Sequence, residues 1–172
     1  MASISILVGY LAGSVPFAFL LARRAGIDVR RVGSRNVGAA NVLRSTGVGR
    51  ALLVTVLDVA KGAAAVLVAY VSTGGSGVAA LTGAAAVVGH IYPVWLRFHG
   101  GKGVAVAAGV FAMLTPIATV IATTLFLVTV ATTRYVSLGS VAATLALPPA
   151  AWLTGAPVAV VASAAGTSAL IL

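Results

Sequence analysis

The sequence contains no cysteine and almost no acidic residues, since aspartate and glutamate together number 2 in 172 residues. Without thiols there is no disulfide, no thiolate nucleophile and no cysteine-based zinc site. Asp28, Asp58 and 2 histidines are the only other common ligand types, so a carboxylate-rich metal site is not expected. We therefore predict that the protein uses no metal and no cofactor.

Charge is scarce as well: only 8% of residues are charged, whereas about a quarter are charged in soluble domains. Hydrophobic residues make up 60% of the chain. Four uncharged runs each reach the roughly 20 residues that a membrane-spanning helix needs. These runs are 1–22, 62–96, 103–133 and 135–172. The sequence therefore predicts an all-α polytopic membrane protein, with residues 1–172 forming a single transmembrane domain.

The first run is interpreted as a retained helix. It begins without a basic side chain and ends at Arg23 and Arg24, which does not fit a secretory signal peptide. The segment 23–50 contains all seven arginines that lie between the first hydrophobic run and the next, and the positive-inside rule places it in the cytoplasm. The net charge of +9 thus comes from basic residues that set the membrane topology, and we expect no nucleic-acid partner.

Turn signals and charge positions predict about seven membrane passes. A second helix is expected from Ala51 to about Val71, and a third from Val78 to about Phe98. The third helix would deliver the segment 97–103, a cytoplasmic glycine loop, to the arginine-rich side.

The rest of the chain is expected to contain two helix breaks. As one helix, the 31 uncharged residues 103–133 would span about 46 Å, more than the roughly 30 Å hydrocarbon core. We therefore predict a break at Thr115-Pro116 and a second break within 147–157, which is rich in proline. This count places the N-terminus outside and the C-terminus in the cytoplasm.

Three polar segments are predicted to meet at the same membrane face. They are "GSRNVGAANVLR" at 33–44, "LDVAKG" at 57–62 and "GHIYPVWLRFHGGKG" at 89–103. An enzyme that handles a small phosphorylated substrate at a bilayer needs cations and free backbone N–H groups at the interface. The convergence of these segments is the main indication of function.

The first segment combines glycines for close backbone approach, neutral side chains for hydrogen bonds, and arginines that can grip an anion. Its candidate residues are Gly33, Ser34, Arg35, Asn36, Gly38, Asn41 and Arg44. The alternative is a solvated positive-inside loop. Topology alone, however, requires neither the serine nor the glycines and asparagines.

The second segment places Asp58 and Lys61 on one face of a predicted spanning helix. Charges at such a depth usually pair with each other or line a polar cavity. One interpretation is a self-neutralising structural pair. The other is that Lys61 faces an anionic ligand while Asp58 fixes its position.

The third segment ends in "HGGKG", where Gly100, Gly101, Lys102 and Gly103 begin the next helix. Backbone N–H groups in such a turn form an anion cradle, although a flexible interfacial turn is the alternative. The segment is not a Walker A loop, because no serine or threonine follows the lysine. His90 could act as a general base or hydrogen-bond a neighbouring loop, and a structural role is the alternative.

Together with "GYLAGSVPFAFLLAR" at 9–23, these segments resemble the acyl-phosphate:glycerol-3-phosphate acyltransferases, the PlsY family of integral membrane enzymes. The order and spacing of the motifs agree along nearly the whole chain. The resemblance implies transfer of a fatty acyl group from acyl phosphate to the 1-hydroxyl of glycerol 3-phosphate. The products would be lysophosphatidic acid and phosphate, in phospholipid synthesis at the cytoplasmic side of the bacterial inner membrane.

The resemblance also implies roles for particular residues. Ser34 and Arg44 correspond to essential residues of the family, and the glycine loop with Lys102 corresponds to its glycerol 3-phosphate site. Beyond the resemblance, our own hypothesis is that Arg44, assisted by Lys61, holds the second phosphate while Ser34 hydrogen-bonds the reacting centre. Acyl phosphate would come from a soluble phosphate acyltransferase, to which the enzyme would be functionally coupled, and the membrane lipid is the remaining partner.

The sequence departs from the family pattern at three places. Ala40 stands where the family usually has threonine, and His99 replaces a common lysine. A third cytoplasmic motif with histidine, asparagine and glutamate has no counterpart before Leu172, so we expect the sequence to be truncated there. A transporter of small anions such as phosphate esters is the alternative function, but the chain shows no internal repeat.

Overall fold

The computed structural model describes residues 1–172 and contains helices but no strands. The α-helices are α1 (Ala2–Ser14), α2 (Phe17–Arg23), α3 (Ala39–Thr46), α4 (Val48–Thr73), α5 (Ser76–Ile91), α6 (Val104–Leu114), α7 (Pro116–Thr133), α8 (Val136–Leu153) and α9 (Val158–Ile171). A turn of 3-10 helix, Val94–Leu96, follows α5. The prediction of an all-α fold is confirmed.

The lengths of the helices fit a polytopic membrane protein. Five segments are long and apolar enough to cross a membrane, with α1 and α2 together forming the first, Ala2–Arg23. The helices α6 and α9 are apolar but shorter. The count of seven passes and the sides on which the two termini lie stay predictions.

Both breaks predicted in the second half of the chain are present. Pro116 is the first residue of α7, a position where its missing N–H has no intrahelical partner to lose. The second break follows Leu153, but α8 runs through Pro148 and Pro149 first. Pro148 cannot donate to the carbonyl of Thr144, and Ser168 Oγ donates to that oxygen instead, at 2.9 Å.

Two predicted helices in the first half are wrong in their extent. The first is interrupted at Val15, just before Pro16, because the residue preceding a proline disfavours helical backbone. The third ends at Ile91 instead of Phe98 for the same reason, since Tyr92 precedes Pro93. After the 3-10 turn, the chain enters left-handed backbone at Arg97 and Phe98, with φ of 53° and 63°.

Glycines let the helices approach closely. Gly13 of α1 lies against the backbone of Ala86 in α5, and Gly109 of α6 lies against the carbonyl of Val59 in α4. A methyl group at either position would overlap these backbone atoms. Small residues at helix contacts are expected in a bilayer, where lipid tails are as apolar as the side chains and association depends on close packing.

The pairing of helices leaves a cleft between α6 and α7. The helix α6 packs chiefly on α4, whereas α7 packs chiefly on α8. With 11 residues, α6 is about 16 Å long, roughly half the thickness of the hydrocarbon core, so it is too short to cross that core by itself. The polar groups at its end are satisfied, since Thr115 N donates to Phe111 O and Thr119 Oγ1 donates to Thr115 O, at 2.8 and 3.0 Å.

We predict that Gly109→Ala destabilises the protein by about 1–3 kcal/mol, because the added methyl group must separate α6 from α4. Gly166→Ala in α9 is the matched control, since no heavy atom lies within 4 Å of its Cβ position. That change should stabilise the helix by roughly 1 kcal/mol. Thermal unfolding in one detergent compares the two variants, and equal effects would contradict the assigned α4–α6 contact.

Candidate active site

The loop between α2 and α3 is organised around the side chain of Asn41. Its Nδ2 donates to the carbonyls of Val29, Val32 and Asn36 at 2.9, 3.1 and 3.1 Å. Its Oδ1 accepts a hydrogen bond from Ser34 N at 3.0 Å. The side chain is thus fully used in holding the loop that carries Ser34.

Asn41 therefore does not fit the substrate contact expected from the sequence. The residue is only 1% exposed, and its amide has no free group to offer a ligand. Gly33 belongs to the same unit: its φ is +58°, and a Cβ there would strike Asn41 Oδ1. Asn41 and Gly33 together shape the loop, and Gly33 lies exposed on its surface beside Ser34.

A charged pair fixes the start of this loop. The guanidinium of Arg30 donates to both carboxylate oxygens of Asp28, at 2.9 and 2.8 Å, and lies 4.6 Å from the ring centroid of Phe19. The Arg30 hydrogen bond holds the pKa of Asp28 well below its usual range. Arg30 is thus engaged within the protein, whereas Arg35 and Arg44 are exposed.

The glycine loop is anchored on the end of α5. Gly100 N donates to Ile91 O at 3.0 Å, and Gly101 N donates to His90 O at 3.1 Å. A Cβ on Gly101 would strike the His90 imidazole and the carbonyl of Val37. The first motif meets this loop directly, because Val37 N lies 3.4 Å from Gly100 O.

Behind the glycine loop, three titratable side chains from α4 and α5 form a buried cluster. Lys61 Nζ lies 2.8 Å from Asp58 Oδ1, an ion pair, and donates to Val15 O and His90 Nδ1 at 2.8 and 3.0 Å. All three side chains are less than a tenth exposed. The ammonium is fully occupied by protein groups, which favours the structural pair over the expected phosphate contact by Lys61.

The same cluster fixes the proton of His90. An ammonium can only donate, so His90 Nδ1 accepts and the neutral imidazole carries its proton on Nε2. An imidazole in this form offers no free nitrogen to accept a substrate proton. General-base catalysis does not fit this form of His90; its imidazole pairs with Lys61, and its backbone carbonyl accepts the hydrogen bond from Gly101 N in the glycine loop.

A cavity of about 370 Å³ opens beside these motifs. Asn36, Asp58, His90 and Lys102 line one end of it. The rest is lined mainly by apolar residues, including Ala107, Phe126 and Leu147, with serine and threonine side chains of α4, α7, α8 and α9 among them. The cavity therefore has charged groups at one end and a largely apolar remainder.

Two helix starts contribute backbone groups to the polar end. Gly38 is the N-cap of α3 and Gly103 is the N-cap of α6, and each lines the cavity with the two residues that follow it. Neither start has a side-chain cap, so first-turn N–H groups remain without an intrahelical partner. Beside the exposed Lys102, these helix starts suit an anionic group.

The structure divides the predicted site residues into three groups. Asn36, Gly38, His90, Lys102 and Gly103 line the cavity. Asn41, Lys61, Gly100 and Gly101 pack behind these residues and hold the two loops, and the exposed Gly33 packs against Asn41. Ser34, Arg35 and Arg44 lie on the exposed surface of the first motif, outside the cavity lining.

Sequence reasoning missed the backbone of Ala39, Ala40, Val104 and Ala105 as lining groups. Alanine and valine carry no polar side-chain signal, and their contribution depends only on where a helix begins. The glycines that precede them were the available signal.

Comparisons with known proteins agree with this architecture. The family described as "Glycerol-3-phosphate acyltransferase" matches residues 3–172. A glycerol-3-phosphate acyltransferase of Rubrobacter xylanophilus is 45% identical over 88% of this chain and 76% of its own length. One from Myxococcus xanthus is 48% identical over 83% of this chain and 76% of its own length.

Solved structures show the same fold. The crystal structure of PlsY (YgiH), an integral membrane glycerol 3-phosphate acyltransferase, in its glycerol 3-phosphate form superposes with a TM-score of 0.94 at 41% identity. The match covers 99% of this chain and 86% of that one. The lysophosphatidic acid form of PlsY gives a TM-score of 0.92 at 40% identity.

We predict that Lys61→Met destabilises the protein by about 3–5 kcal/mol, because it leaves the carboxylate of Asp58 buried without a countercharge. Adding Asp58→Asn should recover part of that loss, since the pair neutralises itself. Thermal unfolding of the two variants and the parent in detergent measures the difference. A double variant less stable than Lys61→Met would contradict the structural pairing.

Proposed function

The chain belongs to the glycerol-3-phosphate acyltransferase family, and on that basis we propose that it takes the acyl group from an acyl phosphate within the described cavity. It transfers an acyl group to glycerol 3-phosphate in phospholipid synthesis and lies in the membrane as a multi-pass protein. Family membership favours this activity over the alternative of an anion transporter.

One observation carries the proposal: a polar, cationic end and an apolar end belong to the same cavity. Both substrates have a phosphate, and the donor also has a long hydrocarbon tail. The helix N-termini at Gly38 and Gly103, together with Lys102, bind a phosphate in this proposal. The cleft between α6 and α7 holds the hydrocarbon tail of the donor within the membrane in this proposal.

The chemistry requires alignment more than activation, because an acyl phosphate already has a good leaving group. The 1-hydroxyl oxygen of glycerol 3-phosphate attacks the acyl carbonyl carbon and forms the new ester bond. The bond from that carbon to the phosphate oxygen breaks, and phosphate leaves with the electron pair. The hydroxyl proton passes to a phosphate oxygen, so the products are lysophosphatidic acid and phosphate. Cations and backbone N–H groups that hold both phosphates would stabilise this transition state.

The first motif supplies the remaining groups in this proposal. Ser34 is fixed through its backbone to the Asn41 side chain, and Arg44 lies three residues after Asn41 on α3. Both side chains lie outside the cavity lining, so in this proposal they act on the parts of the substrates that project from the cavity: Arg44 binds the phosphate that Lys102 does not, and Ser34 hydrogen-bonds the reacting centre. Arg35, also exposed in the first motif, adds positive potential at the entrance.

The cytoplasmic side of a bacterial inner membrane is the proposed location of the site. The arginine-rich segment 23–50 contains the first motif, and Arg97 and Lys102 flank the glycine loop that contacts it. The positive-inside rule supports a cytoplasmic position for both segments. A soluble enzyme that makes acyl phosphate would then reach the site from the cytoplasm.

We predict that Ser34→Ala and Arg44→Ala abolish lysophosphatidate formation while the protein remains folded in the membrane. Radiolabelled glycerol 3-phosphate and synthetic acyl phosphate in detergent measure the product, and thermal unfolding checks the fold. Ser45→Ala and Arg50→Ala are matched controls on α3 and α4, and they should retain activity. Wild-type turnover by both site variants would remove this assignment.

Lys102→Ala should raise the KM for glycerol 3-phosphate by about 10–100-fold, the range for losing a hydrogen bond to a charged group. Arg97→Ala removes an exposed cation from the same loop and serves as the control. Kinetics at high salt, where exposed charges are screened, separate local binding from general attraction. Equal KM values for the two variants under those conditions would contradict a phosphate site at Lys102.

A further inference from the structure

Along the face of α6 that lines the cavity, the side chains change abruptly in size. Val104, Ala107, Ala108 and Phe111 line it at the i, i+3, i+4 and i+7 spacing of one helix face. The two alanines leave room beside the helix, and Phe111 occupies that room one turn further on. The next positions on this face, Leu114 and Thr115, do not line the cavity.

Phe111 is held rigidly at that position. It is the largest fully buried side chain in the protein and belongs to the main hydrophobic core. Leu147 is the last lining residue along α8, as Phe111 is along α6. A close-packed aromatic ring at this depth cannot move aside without disturbing the core.

The depth of the cavity limits what it can hold. From Gly103 at the polar end to Phe111 is eight residues of helix, a rise of about 12 Å. An acyl chain whose carbonyl lies near Lys102 therefore extends towards Phe111. A chain longer than this distance must displace the ring or turn sideways between α6 and α7.

We propose that Phe111 forms the floor of the acyl site and sets the length of acyl chain that the enzyme prefers. The inference rests on the proposed function, because it takes the apolar end of the cavity as the place of the acyl tail. It adds a specificity-determining residue remote from the phosphates. Phe111 acts by shape and contacts neither the phosphates nor the reacting carbonyl.

Variants that change the ring in opposite directions test the proposal. An equimolar mixture of dodecanoyl, hexadecanoyl and octadecanoyl phosphates is supplied with glycerol 3-phosphate, and mass spectrometry gives the ratio of the lysophosphatidates. Phe111→Leu and Phe111→Ala should shift the ratio towards octadecanoyl product by about tenfold, the lower end of discrimination by one methylene in a hydrophobic pocket. Phe111→Trp should shift it towards dodecanoyl product.

Val110→Ala is the matched control. Val110 is also fully buried on α6, but it lies against Gly83 and Val66 on the side away from the cavity. Its truncation should lower stability without changing the product ratio. A ratio that changes equally in the Val110 and Phe111 variants would overturn the proposal, since loosening of the core would then explain both.

A second measurement tests the role of Phe111 without depending on acyl phosphate as the acyl donor. Lysophosphatidates with the same three chains are added to each purified variant, and the rise in its unfolding temperature is recorded. With Phe111→Leu, the lysophosphatidate that stabilises the protein most should have a longer chain than the one that stabilises the parent most. If this shift occurs although no acyl phosphate is turned over, acyl phosphate is refuted as the donor and the role of Phe111 stands. An unchanged chain-length order in this measurement would show that the tail leaves sideways and would overturn the role of Phe111.

Discussion

In hydrocarbon, every backbone polar group must find a partner within the protein, and this constraint governs where the present chain can break its helices. The structure meets it at each break. Lys61 donates to the carbonyl of Val15 at the interruption before Pro16, and Ser168 donates to the carbonyl that Pro148 leaves free. The break after α6 is closed by Thr115 and Thr119. At each of these three positions a side-chain donor supplies a partner for a backbone carbonyl.

The catalytic architecture follows from these breaks. Because α5 stops at Ile91, the chain can return through the glycine loop and start α6 beside α3. Because α6 is short and pairs with α4, it leaves α7 to pair with α8 and opens the cleft between them. A buried charge cluster around Lys61 then fixes α4, α5 and the end of α1 without presenting a net charge to the lipid.

Hydrophobic runs, prolines and arginine positions were sufficient to predict the membrane class, the break at Thr115-Pro116 and the meeting of the first motif with the glycine loop. The early end of α5 was missed because "IYPVWLRF" is apolar enough to read as helix, although Tyr92 precedes a proline. The role of Asn41 could not be predicted from the neighbouring residues in the sequence. The same side-chain amide can contact a ligand when it is exposed or hold a loop together when it is buried. What decides between them is burial, which depends on the packing of residues distant in sequence.

The cleft between α6 and α7 has a consequence for how affinity arises. In the proposed function, a fatty chain that enters the cleft from the bilayer exchanges one hydrocarbon surrounding for another, so the usual gain from leaving water is absent. The attraction that retains a donor molecule must then come from its headgroup, at the interface, where water is actually displaced. The hydrocarbon tail contributes selectivity through its fit to the cleft. The product can diffuse laterally into the leaflet without its tail being exposed to water.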